Sequence, residues 1–349
     1  MRKSTRIAAL LSGICVAGSL MTGTALATAG EAQGQQIVTT VTEEPMAPAT
    51  GSTALSLKAA SSDAAAACGT YNRVQACQIV NHTTTVFNSR KVPIGELKAR
   101  STHALVFNTK SRKFRETITV KVTSIVGRAT GLRHTLVVSC GSPCKATNNF
   151  PQNRVWNLGQ TIKGTISYSD GVKKGKVHFT ASTYRWNSFK TGANPSPGAT
   201  TKSIGYRCDD KISNQSAGCV IPRATPMMTA MKKLPQIAAN IRRIQNGSPG
   251  HYGKPGSGHP LHRMMNKSQQ GKNRRAVCAR RVVGAPPRPG VSCDEYPFAS
   301  TREGGTTLSA KNRGTAWVPA WEQNKQAGYI TSSHNTWRTL DGEAFYVIV

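Results

Sequence analysis

Between about Cys68 and Lys190 the chain is dominated by short runs in which apolar and polar residues alternate. Thr117-Ile118-Thr119-Val120-Lys121-Val122, Thr161-Ile162-Lys163-Gly164-Thr165-Ile166 and Val177-His178-Phe179-Thr180 all have this period of two. Leu136-Val137-Val138 leads in the same way into Cys140. Successive side chains of a strand face opposite sides of a sheet, so a period of two marks a half-buried strand. Turn residues such as Ser169-Asp170-Gly171 separate the runs, and helical periodicity is almost absent. The spacing predicts an antiparallel, β-rich (sandwich-like or barrel) domain over residues 68–200.

Gly192 to Thr200, rich in Gly, Pro and Ser, reads as a linker. After it the period lengthens: Leu234, Ile237, Ile241 and Ile244 recur at helical spacing. Pro235 sits where a helix start tolerates it, and Asn246-Gly247 supplies a stop. Residues 248–260 read as a Gly/Pro/His-rich loop, and Ala344 to Val349 as a buried strand. The expectation is a multi-domain chain whose second part, residues 203–349, is a small α+β domain.

Before the alternating runs, Arg2, Lys3 and Arg6 precede an apolar run from Ile7 to Leu20, and Ala25-Leu26-Ala27 is a small-x-small cleavage site. Residues 1–27 therefore read as a cleavable signal peptide, too short in its apolar run to span a bilayer. Ile14 is large where a lipidated Cys15 would need a small neighbour, so a lipoprotein anchor is disfavoured. Residues 28–67, poor in large apolar side chains, read as a disordered leader.

An exported chain meets an oxidising compartment, which gives the cysteines their meaning. Loss of Cys15 with the signal leaves eight, in the neighbouring couples Cys68/Cys77, Cys140/Cys144, Cys208/Cys219 and Cys278/Cys293. Four local disulfides are the simplest reading, and the spacing of Cys140 and Cys144 has no matching second pair to make a zinc site. Charge adds a partner class: 46 Lys and Arg against 15 Asp and Glu give a formal +31. Such an excess draws polyanions, among them nucleic acid, wall polymers and anionic membrane surfaces. Plain solubility or wall adherence is the bland alternative.

The charge is unevenly spread. From Lys211 through Cys293 there is no Asp or Glu but 15 Lys and Arg, and then Asp294-Glu295 follows at once. A carboxylate set in a basic surface can hold a divalent cation against phosphate oxygens while the cations hold the polymer. Alone, an adjacent acidic pair is more often a solvated turn, and on a strand the two side chains diverge.

The surrounding residues are more specific. Cys293-Asp294-Glu295-Tyr296-Pro297-Phe298-Ala299-Ser300-Thr301, with Glu303-Gly304-Gly305, Asn312-Arg313-Gly314, Trp317-Val318, Glu322, Gln326 and Gly328 in order, resembles the NucA/NucB family of secreted deoxyribonucleases. Gly258-His259-Pro260-Leu261-His262-Arg263 and Asn273-Arg274-Arg275-Ala276-Val277-Cys278 resemble the same family's approach to its site. Arg207-Cys208-Asp209 and Gly218 to Pro222 resemble the lead-in of its longer members, so the resemblance spans roughly residues 203–349.

The resemblance implies a secreted, divalent-metal-dependent (Mg2+ or Mn2+) endonuclease acting on DNA with little sequence preference. By position it implies Asp294 and Glu322 as metal ligands or water activators, with Glu295 next. His259 or His262 would act as general acid or base. Arg263, Arg274, Arg275 and Arg313, with Asn312, would contact the DNA backbone. Trp317 and Trp321 read as core residues rather than base-stacking ones. A Cys278–Cys293 bond would tie the arginine-rich segment to Asp294. The β-rich domain lies outside the resemblance, and DNA, cell wall or extracellular matrix are its candidate targets. The protein is expected to be a monomer outside any membrane. The alternative is a basic exported adhesin or polyanion-binding protein with an inactive nuclease-like region. A toxin would come with an immunity partner, and a lytic wall enzyme would need a zinc pattern or free Cys/His pair that the sequence lacks.

Overall fold

The computed structural model describes residues 35–44, 68 and 71–349. The expected signal peptide and residues 28–34 and 45–67 of the expected leader lie outside them. The alternating runs form strands, the first four paired with their neighbours in sequence and the rest with more distant partners. β1 (Gln35–Glu43), β2 (Gln75–Phe87), β3 (Pro93–Val106) and β4 (Lys113–Gly127) make a long antiparallel meander. β5 (Arg133–Ser139), β6 (Cys144–Asn148), β7 (Arg154–Val155), β8 (Thr161–Asp170) and β9 (Val177–Thr180) follow. Next come β10 (Thr183–Phe189), β11 (Ala193–Asn194) and β12 (Ala199–Lys202). One sheet runs β11-β1-β2-β3-β4-β8-β6 and the other β12-β10-β5-β7. Exposed and buried residues alternate strictly along β8. The two sheets share one core that holds Ile37, Leu97, Ile118, Leu136, Tyr184 and Trp186.

The structure corrects two readings of loose segments. Part of the expected leader is β1, whose Ile37 is fully buried and whose register with β2 runs from Gln36 to Glu43. Its Gln and Thr residues lower its hydrophobicity, but Thr and Val are β-branched and suit a strand. The expected linker also enters the sheets: β11 pairs with β1, and β12 pairs with β10 with Ala199 and Thr201 buried. Beyond it, β13 (Tyr206–Asp209) and β14 (Gly218–Val220) join β9 in a third sheet. The first core therefore continues through Cys208 and Cys219 to Ala224. All four expected disulfides, Cys68–Cys77, Cys140–Cys144, Cys208–Cys219 and Cys278–Cys293, are present.

The C-terminal third mixes helices and short strands. β15 (Met227–Met228) and α1 (Pro235–Gly247) come first, then β16 (Leu261–His262), α2 (Lys267–Cys278) and the single turn α3 (Arg280–Val283). β17 (Val291–Tyr296) and β18 (Gly314–Pro319) form an antiparallel hairpin with Asp294 opposite Ala316. α4 (Ala320–Thr336) leaves β18 directly, and β19 (Ala344–Val347) pairs with β15 and β16. As the helical spacing predicts, Leu234, Ile237, Ile241 and Ile244 are buried, and they meet Leu261, Phe298, Val318 and Phe345 in a second core. Among the described residues no helix is long and apolar enough to cross a membrane.

Gly34–Val349 form one compact unit, and the two cores are joined by buried charge. Arg73 donates to the carbonyls of Trp337 (2.9 Å), Arg338 (3.0 Å) and Pro222 (2.9 Å) and to the Glu343 carboxylate. Arg207 donates to Glu343, to the Arg338 carbonyl and, at 3.1 Å, to Asp209 Oδ2. Arg338 binds Asp209 and also the carbonyls of Thr109 (2.9 Å) and Ser216 (2.7 Å). Removing one partner of such a buried set strands the other charge without water. The Asp209→Ala variant is therefore expected to lose about 3–5 kcal/mol of stability, read as a lower urea midpoint with an unchanged m-value.

Candidate active site

β17 sends Asp294 and Glu295 to opposite faces, as strand geometry requires. Asp294 is fully buried and clasped by two amides: Asn240 Nδ2 of α1 donates to Oδ2 at 2.8 Å, and Gln326 Nε2 of α4 donates to Oδ1 at 2.7 Å. Burial raises its pKa to about 6, against the two amide hydrogen bonds and Arg274, while the Glu322 charge adds to the rise. One turn before Gln326, Glu322 accepts the backbone N–H groups of Gln236 (3.1 Å) and Ile237 (3.0 Å). α1 has Leu234 at its N-cap and no side-chain cap of its own. Glu322 thus supplies the acceptor, and its charge meets the positive end of the helix dipole.

Glu295 faces the other way. Its Oε2 accepts Arg274 Nη1 at 2.7 Å, and Arg274 Nη2 donates to the Cys293 carbonyl at 2.7 Å. Burial pushes Glu295 up to about 7, opposed by Arg274 and assisted by the Asp294 charge. Glu295 lines a pocket of about 360 Å³ with Arg263, Lys267, Arg274, Gln323 and Gln326. His334 also lines it, held neutral with its pKa lowered to about 3 by burial and by Arg263. A smaller recess of about 160 Å³, bordered by Val282, Tyr296 and Arg313, reaches Glu295 as well. Glu295 is therefore the carboxylate between two openings, with Asp294 behind it.

Of the other expected residues, Arg263 and Arg313 border the two openings and the rest lie outside the pocket. Arg263 bonds the Thr339 carbonyl, and burial lowers its pKa. Arg275 is exposed on α2. Asn312 Oδ1 accepts Gly250 N–H at 2.8 Å, and Arg313 Nε donates to the Leu308 carbonyl at 3.0 Å. His259 Nδ1 donates to the Gly250 carbonyl at 2.7 Å, and its ring stacks on Tyr252. His262 Nδ1 pairs with Glu303 Oε1 at 2.7 Å, and its backbone N–H donates to Glu303 Oε2 at 2.9 Å. Neither His259 nor His262 lines the pocket. The core reading of the two tryptophans is corrected: Trp317 is half-buried, and Trp321 is 50% exposed with Lys325 over its ring. Residue 321 opens α4, where the buried side belongs to Glu322 and Gln326.

Sequence reasoning missed Asn240, Gln323, His334 and the partnership of Glu303 with His262. Asn240 had a signal: it lies three residues after Ile237 and four before Ile244, a polar residue on an apolar stripe. Among the described residues, no group of three or more His, Cys, Asp or Glu side chains is arranged to hold a metal. The donors at the pocket are the oxygens of Glu295 and Gln323 and the neutral ring of His334, whose Nε2 is buried with no hydrogen-bond partner. Gln323 Oε1 is buried with no hydrogen-bond partner on the pocket wall that Glu295 shares.

The raised Glu295 pKa has a signed consequence. An unfolded chain releases this proton near the ordinary value of 4.5, whereas the folded chain keeps it to about 7. The native state binds the extra proton between those values, so the group's contribution to stability falls as pH rises through that window. Glu295→Gln is expected to abolish this fall: its stability relative to wild type rises from pH 4.5 to 7 in urea unfolding. Parallel pH curves for the two proteins would contradict it.

Residues 253–348 match the sequence pattern of the family described as Deoxyribonuclease NucA/NucB. No curated protein and no solved structure matched the chain. The matched span contains Glu295, Arg274, Asp294 and Gln326, and every residue lining the pocket lies within the region similar to that family.

Proposed function

We propose that the protein is an exported, divalent-metal-dependent endonuclease that hydrolyses phosphodiester bonds of DNA with little sequence preference. The observation that carries this reading is the Asp294–Glu295 pair within a deoxyribonuclease-family region: one carboxylate clasped by amides, the other opening on a pocket with Arg263, Lys267 and Arg274. Four disulfides accord with an oxidising compartment.

The three cations hold the phosphodiester at the pocket, and Arg274, already oriented by Glu295 and the Cys293 carbonyl, offers its remaining N–H groups and its charge to phosphate oxygens. Glu295, with its pKa pushed up to about 7, is suited to take a proton from an attacking water. Asp294 orients the Gln326 amide at the pocket wall. His262 is fixed by Glu303 and His259 by the Gly250 carbonyl, both outside the pocket, so neither is assigned the departing oxygen. Glu295 and Gln323, which line the pocket, are the oxygen donors that would hold Mg2+ or Mn2+, while Asp294 and Glu322, committed to amide and backbone N–H groups behind it, would position them. That cation supplies charge neutralisation at the phosphate and a more acidic bound water.

The test is plasmid cleavage by the oxidised mature protein with Mg2+ or Mn2+, beside EDTA and Asp294→Ala controls. Cutting is expected with metal, none in EDTA, and a loss of about 100-fold or more in the variant. Equal gel shifts with and without metal, and no cutting, would favour a polyanion-binding protein instead.

A further inference from the structure

The β-rich half takes no part in the chemistry above, yet its surface continues the pocket. The pocket beside Glu295 shares Ala327 and Thr331 with a depression that runs over α4. The far wall of that depression is Thr109, Lys110 and Gln215, from the β-rich half. Lys110 and Gln215 in turn border a third depression along the turn Lys110 to Lys113. The three form one trough.

Its floor has no acid. α4 offers Ala327, Gly328, Thr331, Ser332 and Asn335, all small or able to hydrogen-bond. Glycine weakens a helix relative to alanine, and a side chain at Gly328 would meet nothing within 4 Å. Packing inside the chain therefore does not call for this glycine, whereas close approach of a ligand does.

Its far end is strongly basic. Lys110, Arg112 and Lys113 are exposed on their turn. Arg112 Nη1 donates to the Val172 carbonyl at 3.0 Å, which brings alongside the loop with exposed Lys173, Lys174 and Lys176. Among the described residues none of these six cations forms a salt bridge. Asp170, the nearest buried acid, is committed to His178 Nδ1 at 2.6 Å and to Val172 N–H at 2.8 Å. Asp210 is the remaining carboxylate at this end.

We propose that the trough binds the backbone of the DNA strand being cut, from Glu295 across α4 to the Lys110–Lys113 and Lys173–Lys176 turns. The β-rich half is then a substrate-binding extension of the nuclease site, an assignment that rests on the nuclease reading. From Gln323 to Thr336 the floor runs ~20 Å at the helical rise. At ~3.4 Å of duplex axis per nucleotide of one strand, that spans about six nucleotides.

The experiment compares wild type with Lys110→Glu/Lys113→Glu/Lys174→Glu and with the corresponding triple Ala variant. Binding of single-stranded oligomers of ~4 and ~20 nucleotides is measured in EDTA across a salt series. Wild type is expected to prefer the longer oligomer. The Ala variant is expected to bind it on the order of tenfold more weakly, with a log–log salt slope shallower by about two. An unchanged urea midpoint for the Ala variant reports an intact fold. Wild-type affinity and slope for the longer oligomer in both variants would overturn the trough, and plasmid cutting with metal would then leave the nuclease reading standing. Length-dependent binding lost in the variants, from a wild type that never cuts DNA, would keep the trough and sink the nuclease reading. If the variants lose affinity for a poly(glycerol phosphate) chain but not for DNA, the occupant is a wall polymer and the proposal is overturned.

Discussion

Three buried arginines against two carboxylates, Arg73, Arg207 and Arg338 with Asp209 and Glu343, hold the last turn of α4 to the β-rich half. Ions removed from water tolerate little rearrangement, because any lost partner leaves a charge that neither solvent nor neighbour compensates. Arg338 itself stands at φ 48°, a left-handed conformation uncommon for a side chain of its size, and its guanidinium is bonded on all three nitrogens. With that end fixed, the register of α4 is fixed too. Glu322, Gln323 and Gln326 thereby reach α1, β17 and the pocket at set heights along one rigid rod.

The clasp at Asp294 shows why an acid-free basic stretch precedes the carboxylates. A buried carboxylate surrounded by further acids would be driven to stay protonated; amides from α1 and α4 stabilise its charge without adding any. Glu295 instead has a guanidinium, so two neighbours in sequence occupy different electrostatic settings. Groups that act on each other this closely titrate as a pair.

The sequence made some of this legible and hid the rest for physical reasons. α1 was readable because four large apolar residues mark its buried face. α4 was not, because its buried stripe at four-residue spacing is Glu322, Gln326, Ile330 and His334, three of them polar. α2 buries Asn273 and Val277 and is hidden in the same way. Hydrophobic periodicity fails where a helix turns its functional side chains inward. Likewise, the resemblance pointed to Glu322 but could not separate a ligand from a helix cap, since both need an inward carboxylate. β1 and β12 were missed because their Thr-rich pairing depends on partners far away in sequence.

The cap that Glu322 places on α1 has a consequence for how much chain the candidate site needs. Residues 253–348 are the part that relatives share, but α1 ends before them, and with it go Asn240 and the apolar residues from Met228 to Ile244. A fragment cut at the shared boundary would keep every acidic side chain of the site. It would also lose an amide that holds Asp294, the backbone that occupies Glu322, and about half of its own interior. Homology here delimits what is inherited, and a longer stretch of chain delimits what can stand.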